Sequence, residues 1–338
     1  MSSEPTGGAS AAPSRPYHPL VRVTAACTAI LIGAGALVTT TGSGLSVPDW
    51  PTSFGTFFPP LSLWVNGVQF EHTHRLIAGC VALLVLASGV TVLRRDERRG
   101  VRVLAGVAMG TVLLQALLGG LTVLFKLPTV VSASHGTLAQ TFFCMIVALS
   151  MVTSVAWARA PRQPSTPHAT TVQMLAVGLT VAVWVQLVIG ASMRHLHAGL
   201  AILDFPLSQG GLVPTELTLG IAVNFAHRVG ALVVFCLAAA LVSVIVVHFR
   251  GNPPVFSAGL RLGALVALQV ALGAFTVWTQ RNVLVTSLHV LNGALVLVTA
   301  VVVALWAFRL HGSATDLATV DAPSAPPGVT PAVQGAGR

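Results

Sequence analysis

Long apolar runs separated by short polar segments dominate the pattern of this chain. Eight of the runs are long enough to cross a bilayer, which takes about 20 residues in a helix. Backbone groups inside lipid must satisfy their own hydrogen bonds, so each run is predicted to be an α-helix. The predicted spans are, approximately, residues 20–41, 71–93, 103–125, 131–157, 171–193, 218–248, 259–278 and 284–308.

The composition excludes a soluble globular protein. Apolar residues make up 54% of the 338 residues and charged residues only 8%, whereas an average soluble domain is about 25% charged. We therefore expect an all-α, polytopic membrane protein with little mass outside the bilayer. The net charge of +9 comes from arginines scattered between the apolar runs, so we expect no nucleic-acid partner. The four cysteines lie within apolar runs and form no CxxC motif.

The distribution of arginine predicts the orientation of the spans. If the amino terminus is cytoplasmic, the inner segments and their flanks hold most of the 18 Lys and Arg residues. We therefore expect a cell-membrane protein with both termini in the cytoplasm. Residues 1–18 and 310–338 are rich in Pro, Ala, Gly and Ser, and they are predicted to be disordered tails.

The chain repeats itself. Residues 44–51 (GLSVPDWP) match residues 199–206 (GLAILDFP), and a Gln-x3-Gly-x2-Thr pattern at 115–122 recurs at 269–276. Each half is predicted to be a four-helix bundle, and an axis along the membrane normal is expected to relate the two halves by a pseudo-two-fold rotation. The halves comprise residues 19–157 and 171–309, joined by a cytoplasmic linker at 158–170.

Four histidines carry the candidate chemistry. His74 and His135 lie near the outer ends of the second and fourth spans, and His227 and His289 match them in the second half. Ionisable groups inside a membrane are costly and usually functional. Two imidazoles on neighbouring helices can ligate one heme iron, so two bis-histidine heme sites are predicted. Zinc or copper fits less well, because no cysteine or carboxylate is duplicated beside them. Hydrogen bonding between helices is the alternative.

The two halves differ beside the first histidine of each pair. Glu71 precedes His74 by three residues and lies on the same helical face, whereas Asn224 stands at the corresponding position before His227. We predict that Glu71 is catalytic, either as an acid–base group or by stabilising a developing cation at a substrate carbon. The alternative is a carboxylate that only stabilises the start of its helix.

Other polar residues receive less specific predictions. Arg75 and Arg228 each follow a ligand candidate and are predicted to bind heme propionates, with an interfacial position as the alternative. His72 has no copy in the second half and is expected at the interface, while His195 and His197 form a weak metal-site candidate. Two further features occur once in each half. Gln115 and Gln269 are predicted to form hydrogen bonds between helices. Rigid loop turns are predicted at Asp49-Trp50-Pro51 and Asp204-Phe205-Pro206.

With these features, the chain resembles the heme A synthase family. The resemblance covers roughly residues 20–308 and rests on the segment Glu71-His72-Thr73-His74-Arg75-Leu76, the loop Thr41-Gly42-Ser43-Gly44-Leu45 with Asp49-Trp50-Pro51, and His135, His227 and His289. Members of this family are eight-helix membrane proteins that oxidise a methyl group of heme O to a formyl group, giving heme A for cytochrome oxidase.

The resemblance implies a role for each site residue. The substrate heme O is expected on His74 and His135, with Glu71 as the catalytic carboxylate. A heme b cofactor that relays electrons is expected on His227 and His289. Heme O synthase and a membrane electron acceptor are the implied partners, and assembly into a homo-oligomer is left open.

The chain departs from the family at one place. Some members carry a cysteine pair in the first outer loop, where Val47 and Ser53 stand here. A thiol–disulfide step in electron delivery is therefore not expected, and the electron acceptor is left open.

Two other functions are alternatives to the enzyme. One is a two-heme b-type cytochrome that exchanges electrons with a quinone. The other is a parallel-repeat transporter, which the outer position of the polar residues disfavours.

Overall fold

The computed structural model describes residues 15–311, and across them it is all-helical, with eight long α-helices, one short α-helix, and two 3-10 helices at Leu61–Leu63 and Ala198–Leu200. Every long helix is apolar and long enough to cross a membrane, so the eight predicted spans are confirmed. Large apolar side chains such as Leu83 and Leu232 are 69% and 62% exposed, as expected of a surface that faces lipid. The long helices are α1 (His18–Thr40), α2 (Val68–Arg95), α3 (Arg99–Leu124), α4 (Thr129–Val152), α6 (Pro167–His195), α7 (Leu219–His248), α8 (Pro253–Trp278) and α9 (Val283–His311), and the short one is α5 (Val155–Arg159).

Two predicted boundaries are wrong for local reasons. The fourth span was predicted to reach residue 157, but α4 ends at Val152 and α5 starts separately. The hydroxyl of Ser154 caps α5 by accepting the N–H of Trp157. The seventh span begins at residue 253 instead of 259, because Asn252 caps the N–H of Val255 and two prolines occupy the first helical positions.

Both halves show the same pattern of helix contacts. In the first half, α1 packs against α2 and α4, and α3 packs against α2 and α4. In the second half, α6 packs against α7 and α9, and α8 packs against α7 and α9. The pseudo-two-fold axis and the division into two domains stay predictions.

A small apolar core joins the two halves. Ile32 of α1, Phe143 of α4, and Ala294 and Val298 of α9 are buried together. Helix α9 contacts α1 and α4 as well as its own half, and α4 also contacts α6. This packing sets the spacing between α4 and α9, two of the four helices that carry the candidate ligands.

An ion-pair cluster ties the segment before α1 to the turn between α2 and α3. The buried carboxylate of Asp96 accepts hydrogen bonds from Arg15 and from the Tyr17 hydroxyl, the latter at 2.6 Å. Arg98 donates to the same carboxylate from Nε at 3.1 Å and from Nη2 at 2.9 Å. Residues 15–18 were predicted to belong to a disordered tail, and these contacts anchor them instead.

The structure also changes the predicted bounds of the carboxyl-terminal tail and of the linker. Helix α9 continues to His311, so residues 310 and 311 are helical, and residues 1–14 and 312–338 of the predicted tails lie outside the described residues. The predicted linker 158–170 includes the start of α6, where Thr166 caps the N–H of Ala169. The N–H of Gln163 donates to the Leu310 carbonyl at 2.7 Å, which holds the linker against the end of α9.

The ion-pair cluster predicts an unusual tyrosine titration. Tyr17 is the single tyrosine of the sequence. Burial, with the hydrogen bond to Asp96 and its charge, raises the pKa of Tyr17 from 10.0 to about 12. Because the folded pKa lies above the unfolded one, this stabilisation is complete below the unfolded value and is lost as the pH rises through the folded value. The Cζ NMR shift of ¹³C-labelled tyrosine should therefore show a protonated phenol in the folded protein at about pH 11.

The matched variant for this titration is Asp96→Asn, which keeps the side-chain shape and removes the charge. Its tyrosine should titrate closer to the ordinary value. A folded wild-type protein whose tyrosine already ionises near the ordinary value would contradict the buried cluster.

Candidate functional site

The second half brings its two candidate ligands together. The rings of His227 on α7 and His289 on α9 have centroids 6.5 Å apart and planes inclined at 69°. Two imidazoles that bind one metal ion from opposite sides, with metal–nitrogen bonds of about 2 Å, have ring centres about 6 Å apart. The spacing therefore suits a single iron between the two rings.

The first half holds its pair on the corresponding helices. His74 lies on α2 and His135 on α4, each six residues after the first residue of its helix. All four candidate histidines are half-buried, and all lie in the first third of their helices, as the sequence predicted.

A glycine of the preceding helix faces each of the four rings. A Cβ atom built on any of these glycines would lie too close to Cε1 of the histidine for ordinary packing, so the rings occupy space that only glycine leaves free. The pairs and distances are Gly35 and His74 at 3.0 Å, Gly119 and His135 at 3.1 Å, Gly190 and His227 at 2.8 Å, and Gly273 and His289 at 3.3 Å.

The ring nitrogens suit ligation. Nδ1 of His74, His135 and His289 is buried and has no hydrogen-bond partner in the described part of the chain. A buried polar atom without a partner is costly, and a bound group that used these rings would remove that cost. No group of three or more His, Cys, Asp or Glu residues within 15–311 is placed to hold a metal ion, so two-histidine heme ligation fits better than zinc.

Glutamine side chains tie three of the histidine-bearing helices to their neighbours. The amide nitrogens of Gln115 and Gln269 donate to the backbone carbonyls of His135 and His289, at 2.8 and 3.0 Å, so the predicted bonds between helices are confirmed. Gln186 does the same for His227 at 2.7 Å and was missed by the sequence analysis. Its signal was available, because the Gln-x3-Gly spacing occurs three times, at 115–119, 186–190 and 269–273.

Glu71 is buried in the first turn of α2. Its carboxylate accepts the N–H of Val47 at 2.9 Å and forms an ion pair with Arg75. In the second half Asn224 makes the equivalent links, because it donates to the carbonyl of Ala198 and accepts from Arg228. Glu71 and Asn224 therefore both fasten an outer loop to its helix, and only Glu71 brings a carboxylate.

Arg75 and Arg228 bind the loops that precede α2 and α7. Nη1 of Arg75 donates to two loop carbonyls, at 2.6 and 2.8 Å, and Nη2 donates to a third at 3.2 Å. Arg228 does the same in the second half, at 2.7, 2.7 and 2.9 Å. The acceptors are the carbonyls of Val47, Asp49 and Thr52 in the first loop and of Ile202, Asp204 and Leu207 in the second. Propionate binding by these arginines stays a prediction.

The duplicated loop motifs form matching turns. Asp49 accepts the N–H groups of Phe54 and Gly55, and Asp204 accepts those of Gln209 and Gly210. The amides of Gly210 and Gln209 hold the pKa of Asp204 below its ordinary value. The predicted loop turns are therefore present in both halves.

The unduplicated histidines have separate environments. His72 was expected at an interface, but it is 2% exposed, with Nδ1 at 2.9 Å from the Ser53 hydroxyl and its ring against Trp64. It is buried because the first outer loop folds over it, which the helical position alone could not reveal. His195 is half-buried and His197 is exposed.

The four cysteines are free thiols in the structure.

The glycine contacts give a direct test. Gly190→Ala places a methyl group against His227, and overpacking of this kind costs about 1–3 kcal/mol. We expect the purified variant to lose about ten-fold or more in heme affinity, measured from its Soret absorbance per protein. Gly178→Ala on the same helix is the matched control, because no atom lies within 4 Å of its added Cβ. Equal Soret absorbance in both variants would show that His227 is not held where ligation needs it.

Comparison with known proteins places this geometry in a family. Residues 68–302, which contain all four candidate ligands, match COX15-CtaA, described as cytochrome oxidase assembly protein. The heme A synthase of Symbiobacterium thermophilum is 34% identical over 275 residues, which cover 77% of this chain and 85% of that protein. The heme A synthases of Bacillus licheniformis and Shouchella clausii are 29% and 30% identical, over 74% of this chain and 82% and 83% of their own length. The chain belongs to the COX15-CtaA family of cytochrome oxidase assembly proteins.

Proposed function

We propose that this protein is a heme A synthase, which oxidises one methyl substituent of heme O to a formyl group and so supplies heme A to cytochrome oxidase. Its family and the shared name of its relatives support this function. The observation that carries the proposal is the duplicated pair of imidazoles in an apolar bundle, with the His227–His289 spacing that suits one iron.

We assign a different heme to each half. Heme O, the substrate, is held by His74 and His135, and a resident heme b is held by His227 and His289. The glycine slots and the unpartnered ring nitrogens support ligation in both halves. When bound, heme b supplies one-electron transfer. The buried carboxylate beside His74 has no counterpart beside His227, which is why the reaction is assigned to the first half.

Glu71 is the catalytic residue in this proposal. Conversion of a methyl to a formyl group, balanced with one water molecule as the source of oxygen, releases four protons and passes four electrons to the proposed membrane electron acceptor, so positive charge develops at the substrate carbon. A carboxylate fixed beside the substrate stabilises that charge and can accept a proton. The Val47 N–H and Arg75 fix the Glu71 carboxylate, and the side chain lies one helical turn before His74.

The proposed orientation has both termini in the cytoplasm and the protein in the cell membrane. It places both heme sites near the outer surface, because each histidine lies close to the start of a helix that enters from that side. The two outer loops, held by Arg75 and Arg228, then lie at the same surface as the hemes. A membrane electron acceptor and heme O synthase are the proposed partners.

The proposal is tested by coexpression with heme O synthase in a host that lacks its own heme A synthase. Extracted hemes, identified by mass, should include heme A for the wild type. Glu71→Gln keeps an acceptor for Val47 and Arg75 but removes the charge, so we expect heme A to fall by about 100-fold. Glu216→Gln, in an exposed loop of the second half, is the matched carboxylate-to-amide control and should retain activity.

Two outcomes contradict parts of this proposal. Normal heme A from Glu71→Gln means that the carboxylate has only the structural role that Asn224 has in the second half. A wild type that yields only heme b, in both sites, identifies a two-heme electron-transfer cytochrome instead.

A further inference from the structure

The four candidate ligands are not held equally. Three of them lie on helices whose backbone carbonyl, at the histidine itself, accepts a glutamine amide from the preceding helix. The glutamine stands four residues before the glycine that faces the ring. At the fourth position, four residues before Gly35, the residue is Leu31, which has no amide to donate to the backbone of His74.

The second half adds further polar contacts at its ligands. Gln186 Nε2 also lies 3.0 Å from Nδ1 of His227, so it restrains the ring as well as the helix. Asn292, which is 4% exposed, donates to Oε1 of Gln269 at 2.8 Å and to the carbonyl of Leu265 at 2.9 Å. These side chains connect α6 to α7 and α8 to α9 at the level of the rings.

The first half lacks the corresponding groups. Leu138 stands three residues after His135, where Asn292 stands after His289. Oε1 of Gln115, the first-half counterpart of Gln269, has no hydrogen-bond partner in the described part of the chain. The proposed substrate pair therefore has one amide bond at its ligands, whereas the proposed cofactor pair has an amide bond at each ligand, and Asn292 supports the second of these amides.

We infer that Gln186, Gln269 and Asn292 are positioning residues that make the second site a permanent heme site, and that Leu31 and Leu138 leave the first site able to release its heme. The inference rests on the proposed function, in which a substrate must enter and a product must leave the first half only. A ligand whose helix is tied to its neighbour is preorganised for ligation, so its heme dissociates slowly. A ligand whose own backbone carbonyl lacks that amide bond can move away from the iron at lower cost, even though α2 is bonded to α1 elsewhere, between Thr24 and Ser88.

Heme release tests the inference. The purified full-length protein, with both sites filled, is mixed with excess apomyoglobin, which takes up released heme and gives a separate Soret signal. We expect a fast phase from the first site and a slow phase from the second. The variant His74→Ala assigns the phases, because it should keep only the slow one.

Reciprocal substitutions should move the two phases in opposite directions. Gln186→Leu removes the amide that bonds to the His227 carbonyl and should accelerate the slow phase by about five-fold, which corresponds to the loss of one hydrogen bond. Leu31→Gln supplies the missing amide at nearly equal size and should retard the fast phase by a similar factor. Each variant should leave the other phase unchanged.

The control is another glutamine of α6. Gln173 donates to the carbonyl of Ala307 on α9 at 3.2 Å, which is the same type of bond far from the histidines. Gln173→Leu should change neither phase. Equal acceleration by Gln173→Leu and Gln186→Leu, or no change in the slow phase with Gln186→Leu, would overturn the inference.

The inference and the proposed function can fail separately. If both phases respond as expected but the protein makes no heme A, the role of the positioning residues is supported and the synthase function is contradicted. If the protein makes heme A but the phases do not change on substitution of Gln186 or Leu31, the synthase function is supported and the role of the positioning residues is contradicted. A purified protein that holds no heme would overturn both.

Discussion

A polar group inside an apolar helical bundle must find a partner, and the arrangement of this protein follows from that requirement. The imidazoles lie in slots that glycines leave free, and glutamine amides bond to the carbonyls of three of them. Arg75 and Arg228 are satisfied by three loop carbonyls each, and Asp96 accepts hydrogen bonds from three residues at the opposite end of α2. Close helix packing at the glycines therefore sets where the four rings can be.

The two halves share one pattern of helix contacts and differ in the side chains beside the candidate ligands. The loop turns, the arginine contacts and the ring–glycine contacts recur in both halves. The differences are few and lie beside the ligands: Glu71 against Asn224, Leu31 against Gln186, and Leu138 against Asn292. Each of these exchanges alters charge or hydrogen bonding while the helices keep the same contacts, which is the basis for proposing a reactive site in one half and a resident heme in the other.

Glu71 has a structural task beside the catalytic one proposed for it. Its carboxylate closes the contact between the first loop and α2, as Asn224 does with an amide in the second half. Removal of the whole side chain would therefore disturb the loop, His72 beneath it and the helix that carries His74. The loop is held without a disulfide, because Val47 and Ser53 make hydrogen bonds at the places where the family resemblance suggested cysteines.

The sequence by itself determined the eight spans, the repeat and the four histidines, because hydropathy and spacing are local properties that lipid enforces on each helix separately. It also indicated Gln115 and Gln269, and its Gln-x3-Gly pattern contained Gln186. Only the tertiary structure decided that His227 and His289 face each other, that Arg75 and Arg228 bind loop carbonyls, and that His72 is buried. Those facts depend on which helices pack together and how the outer loops fold back, and such contacts join residues whose separation along the chain carries no periodic signal.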